Sequence, residues 1–232
     1  MKINAIRHVE FEGMGMIRDW ADERGHEVTE THLWKDFRFE NIGNSDVLMI
    51  FGGPMGIYDY KNYPWLKEEK EYIKQSVFSG KKVLGVCLGA QLLADVLGGK
   101  VVKNEHKEIG WHAVQGTFKA HAYFPGITRM QPQTVFHWHG DKFEIPERCE
   151  RVFQSEGCEN QGFVSSDGQV VGLQFHFEMG KENVEDLLKN CKNELKERGR
   201  YIQSAEKIRE GFEVHSTKNR ELLFGFLDSF LG

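Results

Sequence analysis

At 232 residues the chain is long for one domain and short for two, and its 40% hydrophobic and 12% aromatic content suits a sizeable core rather than disorder. A net charge of −5 gives no electrostatic basis for binding nucleic acid or an anionic membrane. Four irregularly spaced cysteines, Cys87, Cys149, Cys158 and Cys191, form no C-x-x-C pair and no zinc spacing, which points to a reducing cytoplasm and not to a disulfide framework.

The N-terminal "MKINAIRHVEF" is too short and too charged for a secretory signal. "KINAIRH" (2–8) reads as a first strand, followed by Ile17, Trp20 and Ala21 at helical spacing up to Gly25. "VLMIF" (47–51) has the pattern of a strand buried on both faces. Pro64 suits a first helical turn, Leu66, Ile73 and Val77 share one helix face, and Gly80 ends that helix before the strand "VLGV" (83–86). Strand, helix and strand with short links make a βαβ unit, hence parallel strands covered by helices. A helix from Leu88 to Leu97 closes at Gly98 and Gly99. Residues 83–99, the most apolar stretch, carry Gln91 and Asp95 and fall short of the roughly 20 residues a membrane helix needs.

From about residue 100 to 175 strand signals dominate, among them "TVFHWH" (134–139) and "VVGLQF" (170–175). Beyond Gly180 three apolar stripes predict three helices: Val184, Leu187, Leu188, Cys191 and Leu195; then Ile202, Ala205, Ile208 and Phe212; then Leu222, Leu223, Phe226, Leu227 and Phe230. No internal repeat or linker divides the chain, so it reads as one domain over 1–232 with 181–232 as a helical extension. The first stripe is expected to pack within the domain, and the last, with its large terminal phenylalanines, to form an interface.

The chemistry begins at "VLGVCLGAQ" (83–91). G-x-C-x-G between a strand and a helix is the cysteine form of a nucleophile elbow, whose tight turn lifts the sulfur above the sheet at a helix N-terminus. A core cysteine in a glycine-rich turn would read the same way in isolation. A nucleophile needs a base, and "LQFHFE" (173–178) offers His176, with Glu178 two residues on to fix its tautomer. Alone, a histidine at a strand end is more often structural. "FGGPMGIYD" (51–59) follows a buried strand, and Gly53 with Leu88 supplies two N–H groups for an oxyanion, although "GGP" alone also fits a simple turn. His8 and Glu10, after the first strand, fall where α/β sheets bind ligands and are placed at the pocket mouth.

Taken together, "GGP" (52–54), "GVCLGAQ" (85–91), "HGD" (139–141) and "QFHFE" (174–178) resemble the class I glutamine amidotransferases, most closely the glutaminase domain of GMP synthase and its free-standing relatives. The resemblance implies a three-layer α/β/α, flavodoxin-like fold with a largely parallel sheet. It also implies a Cys87–His176–Glu178 triad, an oxyanion hole at Gly53 and Leu88, and no cofactor. Gln91, Trp138, His139, Gly140 and Asp141 correspond to residues that contact glutamine. Phe177 stands where many members have proline, and Trp138 where the GMP synthase domain has a small polar residue. The implied activity is hydrolysis of glutamine to glutamate and ammonia.

Three rival readings remain at this level, one of them a non-catalytic binding or regulatory module that kept the scaffold, against which the intact triad argues. The same triad serves a γ-glutamyl peptidase. His137, His139, Asp141 and His176 are all metal-ligand types, with 137, 139 and 141 alternating onto one face, which would suit a metal-dependent hydrolase. The sequence contains no G-x-x-x-x-G-K-[ST] loop for ATP, so an ammonia-accepting synthase is expected in trans or not at all, and a homo-oligomer is an alternative assembly.

Overall fold

The structure is a computed structural model and describes residues 1–35 and 37–232. β1 (Lys2–Arg7) sends Ile3 and Ala5 into the core on one side and Ile6 into the core on the other. α1 (Met16–Glu23) buries Met16, Ile17, Trp20 and Ala21. β2 (Glu27–His32) then runs parallel to β1 at the sheet edge. The sequence pattern misses β2 because "EVTETH" is mostly polar, and an edge strand needs only one paired neighbour.

The expected βαβ unit follows as β3 (Val47–Ile50), α2 (Leu66–Phe78) and β4 (Lys82–Val86), and α3 (Leu88–Val96) leaves directly from β4. The later strands are β5 (Val101–Gly116), β6 (Gln133–Phe143), β7 (Cys149–Ser155), β8 (Gly162–Ser165) and β9 (Val170–Leu173), with the short helix α4 (Ala120–Tyr123) between β5 and β6. All nine strands form one mixed sheet in the order β2-β1-β3-β4-β9-β8-β7-β5-β6. From β2 to β9 every neighbouring pair is parallel; from β9 to β6 every pair is antiparallel. The expected parallel core is therefore the half that carries the elbow, extended by an antiparallel wing.

Helices cover both faces, which makes the three layers. α2 and α3 lie on one face over Leu48, Ile50 and Val83, and α1 and α4 on the other over Val47, Met49 and Leu84. α5 (Lys181–Asn190) packs Val184, Leu187 and Leu188 against Ile109, Trp111, Phe136 and Trp138 of the antiparallel wing.

The last two apolar stripes lie on a single helix, α6 (Ala205–Leu231), and not on two. Its 27 residues span about 40 Å. The first half therefore reaches the wing through Ile208, and the second half reaches the parallel core. The interface expected of the 222–230 stripe is overturned. Phe226 is fully buried and stacks on Phe124 at 4.4 Å between ring centroids, and Leu222, Leu227 and Phe230 join the same core. No helix among the described residues is long and apolar enough to cross a membrane.

Candidate active site

Cys87 sits at the junction of β4 and α3 with φ at +52°, the one non-glycine residue with positive φ among those described. Its N–H donates to the Leu173 carbonyl of β9 at 2.7 Å, and its own carbonyl accepts from Gln91 N–H at 3.1 Å, so the turn is fixed from both sides. The flanking glycines are steric necessities. A Cβ on Gly89 would overlap the Ile50 carbonyl oxygen of β3, and one on Gly85 would crowd the Gly89 carbonyl. Strain at the elbow is thus held by packing around it, and the sulfur lies over the N-terminus of α3.

His176 lies beyond the end of β9, so strand alternation alone does not aim it. A bridge to β6 does: His176 N–H donates to the Phe136 carbonyl at 2.8 Å. His176 Nδ1 is 2.6 Å from Glu178 Oε1, and both side chains are almost wholly buried. Burial works against a charged imidazole, but the Glu178 carboxylate and the Cys87 sulfur outweigh it and hold the His176 pKa well above its ordinary value. Burial pushes the Cys87 thiol up, opposed by His176. The thiols of Cys149, Cys158 and Cys191 are pushed up to about 11, 12 and 12, mainly by burial and with no histidine to oppose it.

The loop after β3 faces the elbow. A Cβ on Gly53 would come within 2.9 Å of Leu88 Cδ2 and His8 Cβ, so only glycine lets that backbone approach. Neither the Gly53 nor the Leu88 N–H donates to an acceptor among the described residues. His8 is not at the pocket mouth. It is buried beneath this loop, with Nδ1 3.0 Å from the Gly52 carbonyl and Nε2 2.9 Å from Glu69 Oε1. Both partners accept, so His8 carries two protons, and the Glu69 carboxylate raises its pKa against the opposing effect of burial. Glu10 is exposed and away from the pocket.

The acid that does line the pocket is Glu12, which sequence reasoning missed. A Cβ on Gly52 would overlap Glu12 Oε2 and lie 3.4 Å from His176 Cε1, so this carboxylate borders both the oxyanion loop and the histidine. It is 7% exposed, and burial pushes its pKa up to about 7 despite the pull of His176 and His8. Its only sequence signal was its position in the loop after β1. The pocket has a volume of about 180 Å³ and holds Glu12, Gly53 and Cys87 at its base.

The five residues matched to glutamine contacts all line this pocket. Gln91 lines it, but its Nε2 donates to Gln174 Oε1 at 3.1 Å, and Gln174 in turn reaches the Cys87 sulfur at 3.8 Å. Trp138 offers its carbonyl to the Cys87 thiol at 3.7 Å while its indole N–H donates to Glu194 at 3.0 Å. Gly140 and Asp141 sit at the rim, where Asp141 pairs with Lys103 at 2.7 Å. The His139 ring turns away, to Glu108 at 3.1 Å.

The four supposed metal ligands do not converge. Asp141 faces Lys103 and His176 faces Glu178, leaving His137 and His139 with Glu108, a residue not singled out from sequence. Glu108 accepts from Ser155 at 2.8 Å and Gln161 at 2.6 Å as well as pairing with His139. Although burial opposes it, this company holds the Glu108 carboxylate down at about 2. Burial keeps His137 neutral, with its pKa lowered to about 3. With its carboxylate already occupied, this cluster ties β5, β6 and β7 together.

An elbow cysteine and a carboxylate-bound histidine thus meet at the carboxyl ends of parallel strands in an α/β domain. Residues 16–195 match the family described as glutamine amidotransferase class-I, and the chain belongs to that family. It is 31% identical to the glutamine amidotransferase-like protein YfeJ of Salmonella typhimurium, over 98% of this chain and 96% of that one. A crystal structure of a glutamine amidotransferase from Thermotoga maritima superposes with a TM-score of 0.89 at 34% identity, covering 100% of this chain and 98% of that one. GMP synthase of Aliivibrio fischeri is 34% identical over 138 residues, which are 59% of this chain but only 25% of that protein.

Proposed function

We propose that the chain hydrolyses the side-chain amide of glutamine to glutamate and ammonia, with Cys87, His176 and Glu178 as its triad. The observation that carries this reading is the 2.6 Å His176–Glu178 contact beside an elbow cysteine, with the Gly53 and Leu88 N–H groups unpaired among the described residues. The Cys87 sulfur gives its proton to His176 and attacks the amide carbon of the substrate. The oxyanion that forms is held by the Gly53 and Leu88 N–H groups. When the tetrahedral intermediate collapses, the C–N bond breaks and His176 protonates the leaving nitrogen, which departs as ammonia. A water then enters, His176 removes its proton, and hydroxide attacks the γ-glutamyl thioester. Cleavage of the C–S bond frees glutamate and returns the proton to the sulfur. Glu178 orients the imidazole and stabilises its charged form throughout. Nothing in this sequence of steps calls on a metal or a cofactor.

Ammonia made in this way goes to solvent or to a synthase in trans. A γ-glutamyl peptidase would use the same steps with an amine leaving group. Product analysis after incubation with glutamine and with γ-glutamyl peptides tests the reading, together with a glutamine-like alkylating analogue. Glutamate and ammonia should form, and the analogue should add mass at Cys87 alone. Full activity in a folded Cys87→Ser protein would refute the assignment.

A further inference from the structure

We infer that Glu12 is the specificity-determining residue of this site: it receives the leaving nitrogen of a primary carboxamide and turns away γ-glutamyl peptides. The inference rests on the proposed triad and adds to it a choice between the two substrate classes that the triad serves equally well.

The geometry of the reaction fixes where the leaving group must be. The oxyanion points at Gly53 and Leu88, and the nitrogen must face His176, which protonates it. Glu12 lies close to that side: a Cβ on Gly52 would overlap its Oε2 and lie 3.4 Å from His176 Cε1. It lines the pocket and is 7% exposed, and although its backbone carbonyl accepts from Arg7, its carboxylate accepts no hydrogen bond among the described residues. The other two acids of the pocket are already engaged: Glu194 accepts from the Trp138 indole at 3.0 Å and from Lys107 at 3.0 Å, and Asp141 pairs with Lys103 at 2.7 Å. Glu12 is therefore the acid left for substrate.

A primary carboxamide carries two N–H donors on the leaving nitrogen. One can meet Glu12 while the nitrogen lone pair takes its proton from His176. A γ-glutamyl peptide keeps one N–H, but its amide is trans, so carbon replaces the hydrogen on the oxygen's side, the side on which Glu12 lies beside Gly52, and that residue brings a carboxylate of its own. Seated here, such a substrate would strip Glu12 of donor and water, and would set a second negative charge beside Glu12 and Glu178. A buried acceptor without its donor, and like charges brought together, both count against the wrong substrate. A site built to bond an N–H discriminates strongly against an analogue that lacks it.

The test compares kcat/KM for glutamine and γ-glutamylglycine in the full-length wild type, Glu12→Ala and Glu12→Gln, with analogue labelling of Cys87 followed in each. The wild type should favour glutamine by about 100-fold or more. Glu12→Ala should lose about tenfold or more on glutamine while γ-glutamylglycine stays within about threefold or improves. Glu12→Gln keeps an acceptor oxygen and should retain more glutamine activity than Glu12→Ala. Labelling at Cys87 should persist in both variants, since the analogue expels no amine. An equal loss on both substrates, no loss on either, or a wild type that prefers γ-glutamylglycine would overturn the role of Glu12 and leave the triad standing. A wild type that takes neither substrate and is not labelled at Cys87 would overturn both.

Discussion

His176 and Glu12 show how burial acts on a titrating side chain according to its company. His176 has Glu178 at 2.6 Å, and that negative charge keeps the imidazole protonated to a higher pH than usual. A raised histidine pKa stabilises the fold fully below its unfolded value of 6.5, and the contribution is lost as pH rises through the folded value. Glu178→Gln should therefore lower the urea midpoint more at pH 6 than at pH 10. In kinetics it should slow turnover by less than Cys87→Ala does, and the double variant should be no worse than Cys87→Ala alone. Glu12 has the opposite sign. With its carboxyl raised from 4.5 to about 7, its ionisation above pH 7 costs the folded state up to about 3 kcal/mol. Glu12→Gln should thus raise thermal stability at pH 8.5 and gain little at pH 5, a comparison differential scanning fluorimetry can make. A glutamate retained at such a cost is what a binding role for Glu12 requires.

Among the elements, the β4–α3 turn is the most constrained. The helix enters so close to β3 that Gly89 touches the Ile50 backbone, and a methyl group there has nowhere to go. Gly89→Ala should destabilise by more than about 3 kcal/mol in urea unfolding, and activity should fall with it as the elbow shifts. Gly225, in the interior of α6, provides the contrast. A Cβ there meets only Pro125 at 4.0 Å, so Gly225→Ala should stabilise by about 0.5–1 kcal/mol through helix propensity alone. Two glycines of the same chemistry thus differ in the sign of their effect because one faces a strand backbone and the other faces space.

For the whole molecule the decisive feature is α6, which runs past the wing and ends in the parallel core. Truncation after Thr217 removes Leu222, Leu223, Phe226, Leu227 and Phe230 from that core. The product should fail to fold by circular dichroism; a folded product with altered light scattering would restore the interface reading. Phe226→Ala alone should cost about 3–5 kcal/mol. The sequence by itself determined the βαβ unit and the elbow at Cys87, and it set Glu178 two residues from His176. The first two rest on local rules, strand and helix periods and glycine in tight turns; pairing the last two also needs the bridge from His176 to Phe136, since His176 lies beyond the end of β9. It could not show that β2 is a strand, because a polar edge strand carries no hydrophobic period. Nor could it show that two apolar stripes share one helix, or that the last of them is buried, since a stripe says that it must be covered and not by what. The same limit hid Glu12 and Glu108, whose importance lies in partners far away in the chain. Only the tertiary structure brings Glu12 to His176 and Glu108 to His139, because contact across a sheet depends on strand order and on where each loop returns.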